Sequence, residues 1–140
     1  MKKKILINIL FIFSLIFIFR LTMLPNASLG IGMNKGEINF IPLINLGNPL
    51  SPEFMVNVGG NIVLFIPFGL FLPLKFPKLR RTLTVTLMGL SLSIFIECIQ
   101  LLMPNRCTDI NDVILNTSGA FIGYRIFRKF LAAYNVLVYK

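Results

Sequence analysis

The sequence predicts an all-α fold, a polytopic membrane protein built as a bundle of four transmembrane helices, and three observations support this. Apolar residues make up 56% of the chain, charged residues only 14%, and the mean hydropathy is +0.82. A soluble domain would have about a quarter charged residues. Long apolar runs recur along the chain, and clusters of basic residues separate them. The length of 140 residues fits a single domain over residues 1–140.

Each apolar run is long enough to cross a bilayer as a helix, which takes about 20 residues for a hydrocarbon core of ~30 Å. Runs of this kind occupy residues 5–24, 56–74, 82–103 and 109–131. Pro25 and Pro104 stop the first and third runs. The first run also resembles a secretory signal, because it has a basic start and an apolar core. No small-x-small cleavage site follows it, so we interpret it as a retained span.

The distribution of basic residues predicts the orientation. Eleven of the 14 Lys and Arg residues fall in three clusters without acidic residues, at residues 2–4, 75–81 and 125–140. The other three share their segments with all five acids. This alternation follows the positive-inside rule and predicts a multi-pass protein of the cell membrane with both termini in the cytoplasm. The net charge of +9 therefore indicates membrane topology and not nucleic-acid binding.

Several kinds of chemistry are excluded by composition. The chain has no His, so it cannot build a Ser-His-Asp triad, a Cys-His pair or a His-ligated metal site. Cys98 and Cys107 alone cannot hold a zinc ion, and we predict no metal and no cofactor. The sequence leaves open whether these two cysteines form a disulfide. We interpret them as small side chains compatible with a membrane.

Helix-packing signals accompany the apolar runs. Gly119 and Gly123 lie four residues apart in the fourth span, a spacing that predicts close approach of another helix. Pro67 and Pro73 interrupt the second span, where they free backbone carbonyls that other groups must satisfy. They predict a kinked helix that either packs against its neighbours or opens a pocket.

Polar residues within the spans, together with Arg106 in the short loop between the third and fourth, are predicted to meet at one depth, at the end of the bundle opposite the basic clusters. They are Arg20, Asn61, Glu97, Gln100, Arg106, Asp109, Asp112 and Asn116. Asp109, Asp112 and Asn116 follow at i, i+3 and i+7, so they share one face of the fourth span. Because an acid within a membrane is costly, we expect Glu97 either to pair with Arg20 or Arg106 or to be protonated.

Six of these eight residues also have a structural explanation. Asp109 and Asp112 fall in the first turn of the fourth helix, where acids favour the helix dipole and Thr108 is placed to cap. The amides can serve as hydrogen bonds between helices, and Arg20 can anchor the helix at the interface. The convergence of the whole set favours a functional site, since ionisable groups within membranes usually have functional roles.

Three stretches resemble the VanZ-like family. Residues 57–69, N-V-G-G-N-I-V-L-F-I-P-F-G, resemble its N-x-x-x-N-hydrophobic-F-x-P-x-G signature, and residues 38–43 resemble its N-x-I-P segment. Residues 97–123 resemble its E-x-x-Q…R…D-x-x-D…N-T-x-G-A-x-x-G run. The resemblance covers about residues 39–124 and misses no motif residue. The first span and the C-terminal tail are generic.

The resemblance implies an integral membrane protein of the cell envelope. The family's namesake is associated with resistance to the glycopeptide antibiotic teicoplanin, which binds cell-wall precursors outside the membrane. The family's polar motif residues match Asn61, Glu97, Gln100, Arg106, Asp109, Asp112 and Asn116. Arg20 is not a motif residue, and it enters the candidate site only because it is a charged residue within the first span.

Three functions follow from these residues. The first is a non-enzymatic binding or shielding module, whose outer polar pocket engages a lipid-linked cell-wall precursor or the lipid tail of a lipoglycopeptide. The second is an enzyme acting on an envelope lipid or peptide, with Glu97 or an Asp as general base and Arg106 holding an anion. The third is a subunit of a proton- or ion-coupled transporter with Glu97 as relay.

We predict the first function by elimination. No nucleophile motif, metal cluster or phosphate loop supports an enzyme, and four spans are few for a transporter unless the protein oligomerises. The expected partners are membrane lipids and the envelope ligand, without nucleic acid. The sequence leaves the oligomeric state open.

Overall fold

A computed structural model describes residues 2–24, 38–42, 47–103 and 108–138, with side chains up to residue 134. Its elements are α1 (Lys2–Met23), β1 (Ile38–Asn39), α2 (Pro52–Lys75), α3 (Thr82–Gln100), β2 (Thr108–Asp109) and α4 (Ile110–Val138). The predicted all-α fold is confirmed. The strands contribute a single parallel pairing of two residues each, Ile38 with Thr108 and Asn39 with Asp109.

The four predicted runs all form helices, and their ends differ by a few residues from the prediction. The largest difference at a start is in α2, which begins at Pro52 because the Ser51 hydroxyl accepts a hydrogen bond from the Phe54 N–H at 3.2 Å. The segment Met55–Gly59 is π-helical, and the rest of α2, Gly60–Lys75, is α-helical through both internal prolines.

Three of the helices, α1, α2 and α3, are long and apolar enough to cross a membrane. A helix suits this environment because all its backbone hydrogen bonds are made within the segment. The remaining helix, α4, has 29 residues but carries Asp112, Arg125, Arg128 and Lys129. With these four charges, α4 is less apolar than the other three helices.

The closest helix packing joins α2 to α4, and glycines make it close. Gly119 lies against the backbone oxygen of Ile62, and Gly123 lies against that of Ile66. Gly69 lies just as close to the backbone of α4. A Cβ atom at any of these glycines would collide with the facing backbone, so the prediction of close approach at residues 119 and 123 is confirmed.

The same contacts show that α2 and α4 run parallel, since residue 62 meets 119 and residue 66 meets 123. Their N-termini therefore lie at one end of the bundle, together with the C-termini of α1 and α3. We call this the polar end, because it holds Thr22, Asn61, Glu97, Gln100 and Asp112. We call the opposite end, with Lys75, Arg80 and Arg128, the basic end.

The core lies between α2 and its neighbours. α1 packs on α2, α3 packs mainly on α4, and α1 and α3 contact each other little. The most buried large side chains are Ile18, Phe65, Leu72, Val85, Ile96 and Tyr124. On α1 the buried residues Phe11, Ser14, Ile18 and Thr22 form one stripe at helical spacing.

At the basic end, the loop from α2 to α3 is tied to α4. The Pro73 carbonyl has no partner one turn ahead because Pro77 lacks an N–H. The Arg80 Nε donates to this carbonyl at 3.1 Å, and the buried Tyr124 hydroxyl donates to the Arg80 carbonyl at 3.0 Å. One arginine therefore connects the end of α2 to α4.

Candidate functional site

Glu97 lies at the centre of the polar end. It is only 6% exposed, and its Oε2 accepts a hydrogen bond from the backbone N–H of Asp109 at 3.1 Å. The short connection after α3 brings β2 beside the last turns of α3. Asp109, whose N–H makes this bond, is followed one turn later by Asp112, at the same end of the bundle. Three carboxyl groups thus share one neighbourhood.

Asp112, in the first turn of α4, is linked to the third turn of α2. The Asn61 amide on α2 donates to the Asp112 Oδ1 on α4. Both side chains are half-buried. The contact is possible because the glycine packing of α2 against α4 holds the start of the α-helical part of α2, Gly60–Lys75, beside the first turns of α4.

Asp109 caps α4. Its Oδ1 accepts from the Asn111 N–H at 2.8 Å and from the Asn39 amide at 2.9 Å. The sequence-based expectation that Thr108 is the cap is wrong, since the buried Thr108 hydroxyl has no hydrogen-bond partner among the described residues. The cap is Asp109 because α4 begins one residue later than expected, which puts the Asp109 carboxylate next to the free N–H groups of the first turn.

A second layer lies one helical turn deeper. Ser93 precedes Glu97 by four residues and Asn116 follows Asp112 by four, so each lies below its carboxylate on the same helix face. The Asn116 Nδ2 donates to the Ser93 Oγ at 2.9 Å. Both residues are fully buried, and the Asn116 Oδ1 has no hydrogen-bond partner in the described part of the chain.

Gln100 connects α3 to α1. Its Nε2 donates to the Thr22 carbonyl at 2.8 Å, which leaves its buried Oε1 without a partner among the residues described. The Thr22 hydroxyl bonds back to the Ile18 carbonyl at 2.9 Å within α1. α1 therefore joins the polar end through a backbone carbonyl.

Of the two arginines of the candidate set, Arg20 does not join this cluster. Arg20 is exposed and lies beside an apolar groove along α1, with Phe19 and Met23. Glu97 accepts from the Asp109 backbone N–H, and no pair with Arg20 occurs within the described residues. A pair with Arg106 stays a prediction. Arg20 lies outside the cluster because it projects from the outer surface of α1. Arg106 lies outside the described residues.

The remaining chemistry of the cluster is that of acceptors and amides. Within the described residues it contains three carboxyl groups, and no group of three or more His, Cys, Asp or Glu residues is placed to hold a metal ion. Cys98 is a free thiol on the exposed surface of α3, and Cys107 lies outside the described ranges. The arrangement suits recognition by hydrogen bonds and charge.

Sequence reasoning left out three residues of this cluster. Asn39 binds Asp109, and it lies in the N-x-I-P segment that the family resemblance had already marked. Ser93 lies four residues before Glu97, a spacing that indicated the shared face. The third, Asn111, is 3% exposed in the first turn of α4, and no pattern in the sequence distinguishes it from a surface residue.

The fold and this cluster define a small all-α membrane protein whose helices bring their polar groups together at one end. Residues 7–133 match the VanZ/LLP1 family, and the chain belongs to that family. A relative, Protein VanZ of Enterococcus faecium, is 40% identical over 67 residues, which are 48% of this chain and 41% of that protein. The match thus spans less than half of that relative. No solved structure matches the chain significantly.

Proposed function

We propose that the polar end is an outward-facing ligand site, and that the protein is a non-enzymatic binding or shielding module of the cell envelope. The observation that carries this proposal is the convergence of hydrogen bonds from all four helices. Thr22 on α1, Asn61 on α2, Glu97 on α3 and Asp112 on α4 all take part at the same end. Such a set is costly in a membrane and is rarely kept for stability alone.

The proposal includes a topology in which α4 is a fourth span. Its first 15 residues, 110–124, carry one charge, and it packs against α2 through Gly119 and Gly123. The arginines that follow can extend toward the headgroups. With four spans and the basic end in the cytoplasm, both termini are cytoplasmic and the polar end faces outward.

Binding is favoured over catalysis by the state of Glu97. A general base must reach the proton that it removes. Glu97 is buried and one of its oxygens is held by the Asp109 N–H. Asn61, Gln100 and Asn116 at the same end are amides, which recognise ligands but do not exchange protons readily.

The proposed ligand is a lipid-linked cell-wall precursor or a lipoglycopeptide such as teicoplanin. This rests on the family resemblance and on the position of the cluster near a membrane surface. Arg106, three residues before Asp109 in the sequence, is the residue we expect to contact an anionic group of the ligand.

Asp112 provides the test. In a host expressing the protein, Asp112→Asn should abolish any change in teicoplanin sensitivity while membrane abundance stays normal. Glu53→Gln is the matched control, because Glu53 is an exposed acid in the first turn of α2 outside the cluster, and it should act like the wild type. A fully active Asp112→Asn would make Asp112 a structural residue. A wild-type protein without effect on sensitivity would remove the resistance role.

A further inference from the structure

An apolar groove lies on the side of the bundle away from α4. It forms because α1 and α3 flank α2 with little contact between them. Its volume is about 520 Å³. The floor and walls include Phe11, Leu15, Phe68, Leu72, Leu92 and Phe95. The groove is open along its side, where the membrane would lie.

A cation lies at the mouth of this groove. The Lys75 Nζ is 4.8 Å from the centre of the Phe11 ring and 5.5 Å from that of the Phe76 ring. Both rings line the groove. Lys75 itself is half-buried, so its ammonium is held against the aromatic faces instead of extending freely into solvent.

No carboxylate of the described residues balances this charge. Glu97, Asp109 and Asp112 belong to the polar end, and Glu53 begins α2 at that same end. The segment from Lys75 to Arg81 contains basic residues and no acid. The mouth of the groove is therefore positive, while the groove behind it is apolar.

We propose that the groove and Lys75 form a binding site for an anionic phospholipid. One acyl chain lies along the groove, and the phosphate pairs with the Lys75 ammonium. The apolar walls exclude a free phosphate ion as the intended occupant, since they offer it no donors. The site is separate from the proposed ligand site, which lies at the other end of the bundle.

The first test compares two lipids with the same acyl chains but different headgroups. The purified full chain in nonionic detergent is titrated with palmitoyl-oleoyl phosphatidylglycerol or phosphatidylcholine, and bound lipid is counted by native mass spectrometry. The wild type should prefer phosphatidylglycerol. Lys75→Gln should lower the affinity of the protein for phosphatidylglycerol about fivefold, which is the usual effect of one lysine near an anionic lipid surface. Lys75→Arg should keep the preference.

Lys78→Gln is the matched control, because Lys78 is exposed in the same loop and does not line the groove. It should bind like the wild type. An unchanged preference in Lys75→Gln would overturn the proposal. So would an equal loss in Lys78→Gln, which would indicate a diffuse positive surface.

The second test fills the groove. Ser91 lines it, and its hydroxyl donates to the Leu87 carbonyl of its own helix at 2.8 Å. Ser91→Phe therefore adds bulk without changing charge. This variant should bind less of both lipids at an unchanged melting temperature. Lipid binding by Ser91→Phe at the wild-type level would overturn the proposal. So would a rise in the wild-type melting temperature with excess inorganic phosphate that equals the rise with phosphatidylglycerol.

Discussion

At the residue scale, Glu97 stabilises the polar end by holding a backbone N–H of the segment that begins α4. Glu97→Ala should leave that partly buried N–H without its acceptor and lower the free energy of unfolding by about 1–3 kcal/mol. Glu97→Gln keeps an oxygen that can accept, so it should retain most of the stability. Thermal unfolding in detergent measures both variants. Wild-type stability in Glu97→Ala would show that the hydrogen bond has no structural role.

Asp109 should behave as a helix cap in the same thermal-unfolding assay. Asp109→Ala removes the cap of α4 and should cost about 0.5–2 kcal/mol, while Asp109→Asn keeps a capping oxygen and should be nearly neutral. If Asp109→Asn unfolded like wild type but lost function in the sensitivity assay, Asp109 would belong to the ligand site as well as to the cap.

Much of the cluster could be predicted because polar residues are rare in apolar runs. Asn61, Glu97, Gln100 and Asp112 each stand out in the sequence for this reason. Their partners do not, since the hydrogen bond from Asn39 to Asp109 joins residues far apart along the chain. Such pairings depend on how the helices pack, which hydropathy does not encode.

At the element scale, the glycines of α4 set its distance from α2. Gly123→Ala would place a Cβ against the Ile66 backbone and should destabilise the protein by about 1–3 kcal/mol. The control is Gly60→Ala on α2, where a Cβ meets nothing within 4 Å. It should be neutral or stabilising by up to about 1 kcal/mol, because alanine favours helix. Equal melting temperatures for the two variants would contradict the close packing.

The hydropathy pattern predicted the four helices but not all of their ends. The first turn of α2 is polar and depends on Ser51 as a cap and Pro52 at the first position, so the apolar run began after it. The pairing of β1 with β2 was not predicted, because strands of two residues leave no periodic pattern. The parallel arrangement of α2 and α4 follows from the connection through α3, and the glycine spacing predicted only that some helix comes close.

At the scale of the whole molecule, the parallel pair of α2 and α4 explains why the chain has two chemically different ends. It places Glu53 in the first turn of α2 and Asp112 in the first turn of α4, where the helix dipole favours negative charge. It also places Lys75 and Arg128 toward the C-termini, where the dipole favours positive charge. The two proposed sites, one polar and one for an anionic lipid, use these opposite ends.

The orientation of these ends in the membrane is the last prediction. The basic clusters should keep residue 78 in the cytoplasm and residue 35 outside. In a Cys98→Ser, Cys107→Ser background, Lys35→Cys should react with a membrane-impermeant maleimide in sealed cells, and Lys78→Cys should react only after permeabilisation. Labelling of Lys78→Cys in sealed cells would reverse the topology. The polar end would then face the cytoplasm and an extracellular ligand would be excluded, whereas the groove beside Lys75 would still meet a membrane surface, so its lipid preference would stand.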